Sequence, residues 1–273
     1  MERVLVVGLD KPEYSELRQK VEAPIVATEL LPRIKVEAGR LFVEKPGTSV
    51  GVFLPVSKVV FHGIFENDFD FITALALWGG PCLPDALGMM ECRLRLPGLV
   101  HALRASRFNT LPRGFADRGT VTSPAGDAVA KWGNWHCGEN KERFGGRRER
   151  HEPTLVEQFV EGEAVRVVRV GDRSWQIRLA GDDWRKSIHP DAAAFMPIDR
   201  ELEEDAVRLQ RRFRLDVTGI DYMIGNDGTR HLLEVNHIPN VTRFAEIRAA
   251  YLDHAAEWIR GGEETAAFRT SSP

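Results

Sequence analysis

Residues 217–235 dictate a β-hairpin. Val217–Met223 is a β-branched and apolar run, Gly225-Asn226-Asp227-Gly228 is a tight turn, and Arg230–Val235 is a second apolar run. Pattern and turn chemistry together demand two antiparallel strands. Alternation with period two places Glu234 and Asn236 on one face, and Asp221 on the partner strand can lie opposite them. Carboxylates among apolar neighbours are costly to bury without a cation. Two carboxylates and an amide oxygen make a hard, all-oxygen donor set that suits Mg2+ and not zinc or copper. The alternative is a hairpin edge whose polar residues face water.

The remainder of the chain reads as an α/β frame for this hairpin. Val4–Val7, ending at Gly8, has the pattern of a buried first strand, and Ile25–Thr28, Leu41–Glu44 and Val59–His62 follow as strands. Asp68–Trp78 predicts a helix stopped by Gly79-Gly80-Pro81. Residues 1–90 therefore form a first α/β unit. The linker region 91–122 holds a helix over Leu99–Ser106 and a breaker-rich strand or turn at Leu111–Phe115. Asp127–Trp132 and Thr154–Val160 are strands of a small unit over 123–160, with a glycine-punctuated, polar and mobile loop between them. The unit over 161–260 contains strands Ala164–Val170 and Ser174–Ala180, the helix Arg200–Phe213, the acidic hairpin and a closing helix, Thr242–Arg260. Residues 261–273 read as a frayed tail.

Several function classes are excluded. A net charge of −3 gives no general attraction for nucleic acid. The longest apolar stretch, Phe71 to Trp78, is far short of the roughly 20 residues of a membrane span. No signal-like segment opens the chain, and Cys82, Cys92 and Cys137 share no metal-like spacing, so a soluble cytoplasmic protein with reduced thiols is expected. No Gly-x-Gly-x-x-Gly follows the first strand and no Gly-x-Ser-x-Gly occurs, which removes the dinucleotide and serine-nucleophile readings.

Asp221 followed by Glu234-Val235-Asn236-His237-Ile238-Pro239 on the adjacent strand resembles the metal-binding end of the ATP-grasp superfamily, in the style of carboxylate–amine ligases related to the ribosomal-protein glutamate ligases. The resemblance implies an α/β (α+β) ATP-grasp fold: an N-terminal α/β domain, a linker helix, a small lid subdomain and a C-terminal catalytic subdomain. It implies that Lys131 reaches nucleotide phosphates, and that Glu157, Gln158, Phe159 and Val160 form the adenine hinge. Glu163 would hold the ribose hydroxyls, Arg166 and Arg178 would face phosphate, and Lys186 would touch substrate. With only eight lysines against 29 arginines, each lysine carries weight. The family pattern has a lysine just before the linker helix; this chain reads Arg93-Leu94-Arg95 there, so Arg93 or Arg95 takes its place. The loop Trp132–Lys141 replaces the usual glycine run with two tryptophans and a histidine, which either close over ATP or pack the lid.

The implied activity is ATP-dependent amide or peptide bond formation through an acyl phosphate. ATP with Mg2+ (or Mn2+) serves as cofactor, and the partners are a small-molecule or peptide carboxylate and an amine. The metal ligands implied are Asp221, Glu234 and Asn236. A homodimer is favoured, without nucleic acid or membrane. Two other readings use the same residues: a small-molecule kinase on this scaffold, and a nucleotide-binding module without catalysis.

Overall fold

A computed structural model describes residues 3–47, 51–134, 140–181, 183–189, 191–239 and 244–261. The chain opens with β1 (Val4–Val7), α1 (Lys11–Lys20) and β2 (Ile25–Thr28). An antiparallel trio follows, β3 (Ile34–Glu37), β4 (Arg40–Glu44) and β5 (Phe53–Val56), then β6 (Lys58–Phe61), α2 (Phe69–Trp78) and β7 (Cys82–Leu83). Strands β2-β1-β6-β7 form a parallel sheet. Helix α1 has no apolar stripe to announce it. It is fixed by a reciprocal cap, in which Asp10 accepts the Glu13 N–H at 2.8 Å and Glu13 accepts the Asp10 N–H at 3.0 Å. Helix α2 spans the expected segment and ends at Gly79, whose φ of 71° is the left-handed C-terminal cap.

Next come α3 (Ala86–Arg93), α4 (Arg95–Ala105), β8 (Arg113–Ala116), β9 (Val121–Thr122), β10 (Ala128–Trp132), β11 (Lys141–Phe144), β12 (Arg148–Glu149) and β13 (Thr154–Gln158). The small sheet has the order β11-β10-β13-β8, so it draws in a strand upstream of residue 123. Part of the segment read as a loop is in fact β11 and β12. Phe144 anchors β11 by burial against Ala128 and Ala130, and the Arg150 guanidinium lies 4.0 Å from the Phe144 ring. One buried aromatic in a charged segment is too weak a period to read as a strand. Trp135, His136 and Cys137 of the loop lie outside the described residues.

The last part contains β14 (Gly162–Val170), β15 (Arg173–Arg178), β16 (Ala194–Met196), α5 (Arg200–Phe213), β17 (Val217–Gly225), β18 (Arg230–Asn236) and α6 (Ala245–Arg260). Five antiparallel strands form one sheet, β16-β15-β14-β17-β18. Leu202, Leu209 and Phe213 of α5 pack with Val165, Ile220 and Tyr222 on one face. Ile247, Tyr251 and Ala255 of α6 join Val168, Ile177 and Val217 in the cluster of the other face, which also takes in Val4, Val6 and Val60 of the parallel sheet. Lys58 of β6 donates to the Ile259 and Gly261 carbonyls at 2.8 and 2.9 Å, satisfying the end of α6. A Cβ on Gly162 would lie 2.0 Å from the Ile224 carbonyl, so only glycine lets β14 start this close to β17. Among the described residues, no helix is long and apolar enough to cross a membrane.

Candidate active site

A cleft is lined by the small sheet on one side and the five-stranded sheet on the other, with Ile64 and Arg95 contributed from earlier in the chain. On the small-sheet side, Glu157 of β13 is 2% exposed and forms an ion pair with Lys131 of β10. It also accepts from Arg113 Nε at 2.6 Å. Burial pushes the Glu157 carboxyl up, but Lys131 and Arg113 together outweigh burial and hold it below the usual carboxylate range. Gln158, Phe159 and Val160 line the cleft beside it. The N–H groups of Gln158 and Phe159 donate to the Pro112 and Asp127 carbonyls at 3.1 and 2.9 Å, so the protein itself uses them.

Opposite the hinge stands the acidic hairpin. Asp221 of β17 is the register partner of Glu234 of β18, and Asn236 Nδ2 donates to Glu234 Oε1 at 3.2 Å. Alternation brings all three to the cleft, as the sequence requires. Arg166 of β14, the register partner of Asp221, clamps it with Nε–Oδ1 at 2.6 Å and Nη2–Oδ2 at 2.8 Å. Its remaining nitrogen, Nη1, donates to the Pro239 carbonyl at 2.8 Å. Burial, with the facing Glu234 carboxylate, pushes the Asp221 carboxyl up against the pull of Arg166. The buried Asp221 carboxylate and the half-buried Glu234 carboxylate face each other beside Asn236, an all-oxygen donor set that suits a divalent cation. Among the described residues there is no group of three or more His, Cys, Asp or Glu with metal-site spacing, and the set here is two carboxylates plus an amide.

Five cations (Arg95, Lys131, Lys141, Arg166 and Lys186) face three carboxylates (Glu157, Asp221 and Glu234) across the cleft. Such a lining favours an anionic ligand. Lys141 is the register partner of Lys131, and burial and that neighbour push its ammonium below the usual lysine range. Lys186 Nζ donates to the Gly181 carbonyl at 2.7 Å.

Three expected residues are not brought to the cleft lining. Arg93 is 3% exposed and fully engaged: Nε donates to Asp68 Oδ1 at 2.5 Å, Nη2 to the Phe65 carbonyl and Nη1 to the Asn134 carbonyl. Arg95, two residues on at the start of α4, lines the cleft instead and donates to the Trp132 carbonyl at 2.7 Å. Glu163 shares a face of β14 with Val165 and Val167, and Arg178 is the register partner of Val165. Strand alternation therefore turns both away from Ala164 and Arg166, and they pair with each other at 2.5 Å. Trp184, in the Trp184-Arg185-Lys186 segment that the resemblance places at the substrate, lines the cleft with Lys186. Sequence reasoning gave Lys141 no role of its own, although the scarcity of lysine was a signal for it.

No family model and no curated protein matches the chain. Solved structures do match its fold. D-alanyl-alanine synthetase A from Vibrio cholerae superposes with a TM-score of 0.64 at 14% identity, covering 95% of this chain and 96% of that one. An ATP-grasp ligase associated with a ribosomal peptide product in Chryseobacterium gregarium, complexed with ADP and a leader and core peptide, gives 0.61 at 11% identity over 93% and 96%. The ATP-grasp ligase PsnB, complexed with minimal precursor, Mg and ADP, gives 0.61 at 16% over 94% and 96%. The chain has the fold of these ATP-grasp ligases.

Proposed function

We propose that this protein is an ATP-dependent ligase that joins a carboxylate to an amine through an acyl phosphate, releasing ADP and phosphate. The observation that carries the reading is the convergence of Asp221, Glu234 and Asn236 opposite the 157–160 hinge, in a cleft with an excess of cations. In this scheme the hinge grips the purine, and Lys131, Lys141 and Arg95 hold the phosphates. Arg95 stands in for the absent lysine, and Arg166 holds the Asp221 carboxylate in place. Asp221, Glu234 and Asn236 would supply the oxygens for Mg2+, which would supply positive charge to offset that of the transferring phosphoryl group. The substrate carboxylate oxygen attacks the γ-phosphorus and ADP leaves. The amine nitrogen then attacks the acyl carbon, phosphate departs, and the nitrogen loses a proton. Lys186 approaches the acceptor side of the cleft. The unit over 123–160 acts as lid to the unit over 161–260.

An amino acid or peptide is the substrate class favoured, because two structural neighbours are held with precursor peptides. The test is ADP release against pooled peptides, amino acids and amines, with mass spectrometry of products and carboxylates labelled with oxygen-18. Label transferred to phosphate, together with a dehydrated amide product, is the expected result. A stable phosphorylated product would establish the kinase reading instead, and nucleotide binding without turnover the binding-module reading.

A further inference from the structure

Pairing of β17 with β18 slips by one residue beside the acidic pair. Asp221 opposes Glu234, but Tyr222 opposes Leu232, so Leu233 is the extra residue of a β-bulge. A bulge leaves one residue out of the ladder and re-aims the neighbouring side chains. Here Leu232 is buried in the core with Tyr222, while Leu233 and Glu234 both line the cleft. Regular alternation would give the cleft only one of those two neighbours.

Both backbone groups of Leu232 are held from outside the sheet by one short segment. Its N–H donates to the Phe108 carbonyl at 2.9 Å, and its carbonyl accepts from Arg113 Nη2 at 2.5 Å. The same guanidinium reaches the opposite wall through Nε to Glu157 Oε1, and its third nitrogen, Nη1, donates to the Leu111 carbonyl at 3.2 Å. Arg113 is 9% exposed, so these bonds face little competition from water. A guanidinium is a rigid planar fork. One rigid group therefore sets the spacing between the hinge carboxylate and the backbone two residues from Glu234.

We infer that Arg113 is a positioning residue that couples the hinge to the acidic hairpin, so that nucleotide held at Glu157–Val160 fixes where Glu234 presents its carboxylate. The inference rests on the proposed nucleotide and magnesium site. Arg113→Lys tests it, because a lysine keeps a cation beside Glu157 but has a single ammonium that cannot span both walls. ADP affinity is measured by calorimetry in EDTA and in saturating Mg2+, for wild type and variant. In the variant, affinity in EDTA stays within about twofold of wild type, while the tightening conferred by Mg2+ shrinks about fivefold or more, the scale of a lost coupling between sites. Unchanged tightening overturns the inference. So does a fall of equal factor in EDTA and in Mg2+, the mark of a merely structural role. Wild-type protein that binds no ADP removes the nucleotide reading itself, a distinguishable failure that takes this inference with it. If the lysine variant does not fold, Arg113→Gln serves the same comparison.

Discussion

Arg166→Met isolates what the guanidinium does for the acidic hairpin. The Arg166 and Asp221 side chains are 12% and 10% exposed, which puts their pair on the buried side of the division between cheap surface pairs and costly interior ones. Removing one partner of a buried pair costs about 3–5 kcal/mol, because the other charge stays behind uncompensated. Here the remaining Asp221 faces Glu234 directly, and the Pro239 carbonyl also loses its donor. Methionine retains much of the aliphatic stem, so cavity formation adds little. At about 2–4 °C per kcal/mol for a chain of this size class, the melting temperature should fall by about 10 °C. Scanning fluorimetry at neutral pH gives the number. Added Mg2+ should restore part of the loss, and should raise the variant's melting temperature by more than the wild type's. A fall below about 3 °C, or a variant indifferent to Mg2+, would refute the reasoning that this guanidinium balances the buried Asp221 carboxylate beside Glu234, at a site shaped for a cation.

Other expectations follow from neighbouring features. Glu234→Gln changes charge with little change in volume, so it should fold and bind ADP in EDTA like wild type, while ADP release falls about 10²–10³-fold; full turnover in that variant would sink the ligase mechanism. Trypsin should cut apo protein at the exposed arginines 147 and 148, where β12 pairs, among the described residues, with β9 alone, and more slowly with ATP and Mg2+. Equal rates would mean that 123–160 is not a lid. Burial lowers the His62 imidazole to about 4 from its ordinary 6.5. The unfolded chain therefore takes up this proton first, and His62 stabilises the fold fully above pH 6.5 and loses that contribution as pH falls toward 4, about 3 kcal/mol over the window. Thermal midpoints measured over this range should fall less steeply for His62→Phe than for wild type, and superimposable profiles would assign the titration to another group.

The acidic hairpin is legible in the sequence because two signals agree there: a four-residue polar turn and a two-residue period on each side. Helix α5 is legible for the same reason, with one apolar stripe under a charged face. What escapes is whatever depends on facing, register or reciprocal caps. Helix α1 is held by Asp10 and Glu13 bonding each other's backbone, which no hydrophobic period records. Glu163 and Arg178 sit at reasonable positions along their strands but one residue out of phase with the cleft, a distinction that emerges only once the β14–β15 register sets Val165 opposite Arg178 and Ile177 opposite Arg166. Between Arg93 and Arg95 the deciding fact is distant: Asp68, 25 residues earlier, claims the first. Leu233 reads as one more apolar strand residue, and the slip that sends it to the cleft lies in pairing, not composition.

The shared cluster of α6 and the parallel sheet has a consequence for how the chain is made. Val4, Val6 and Val60 bury the same surface as Ile247, Tyr251 and Ala255, and Lys58 closes the end of that last helix. Residues 1–90 therefore leave the ribosome with an apolar face whose cover is encoded some 160 residues later. At about 5–20 residues per second, that face waits on the order of ten seconds or longer before its partner is synthesised. Loop closure over such a span makes the docking of α6 against β1 and β6 a late, slow step of folding. Nascent chains stalled before residue 245 should accordingly be the ones that chaperones hold.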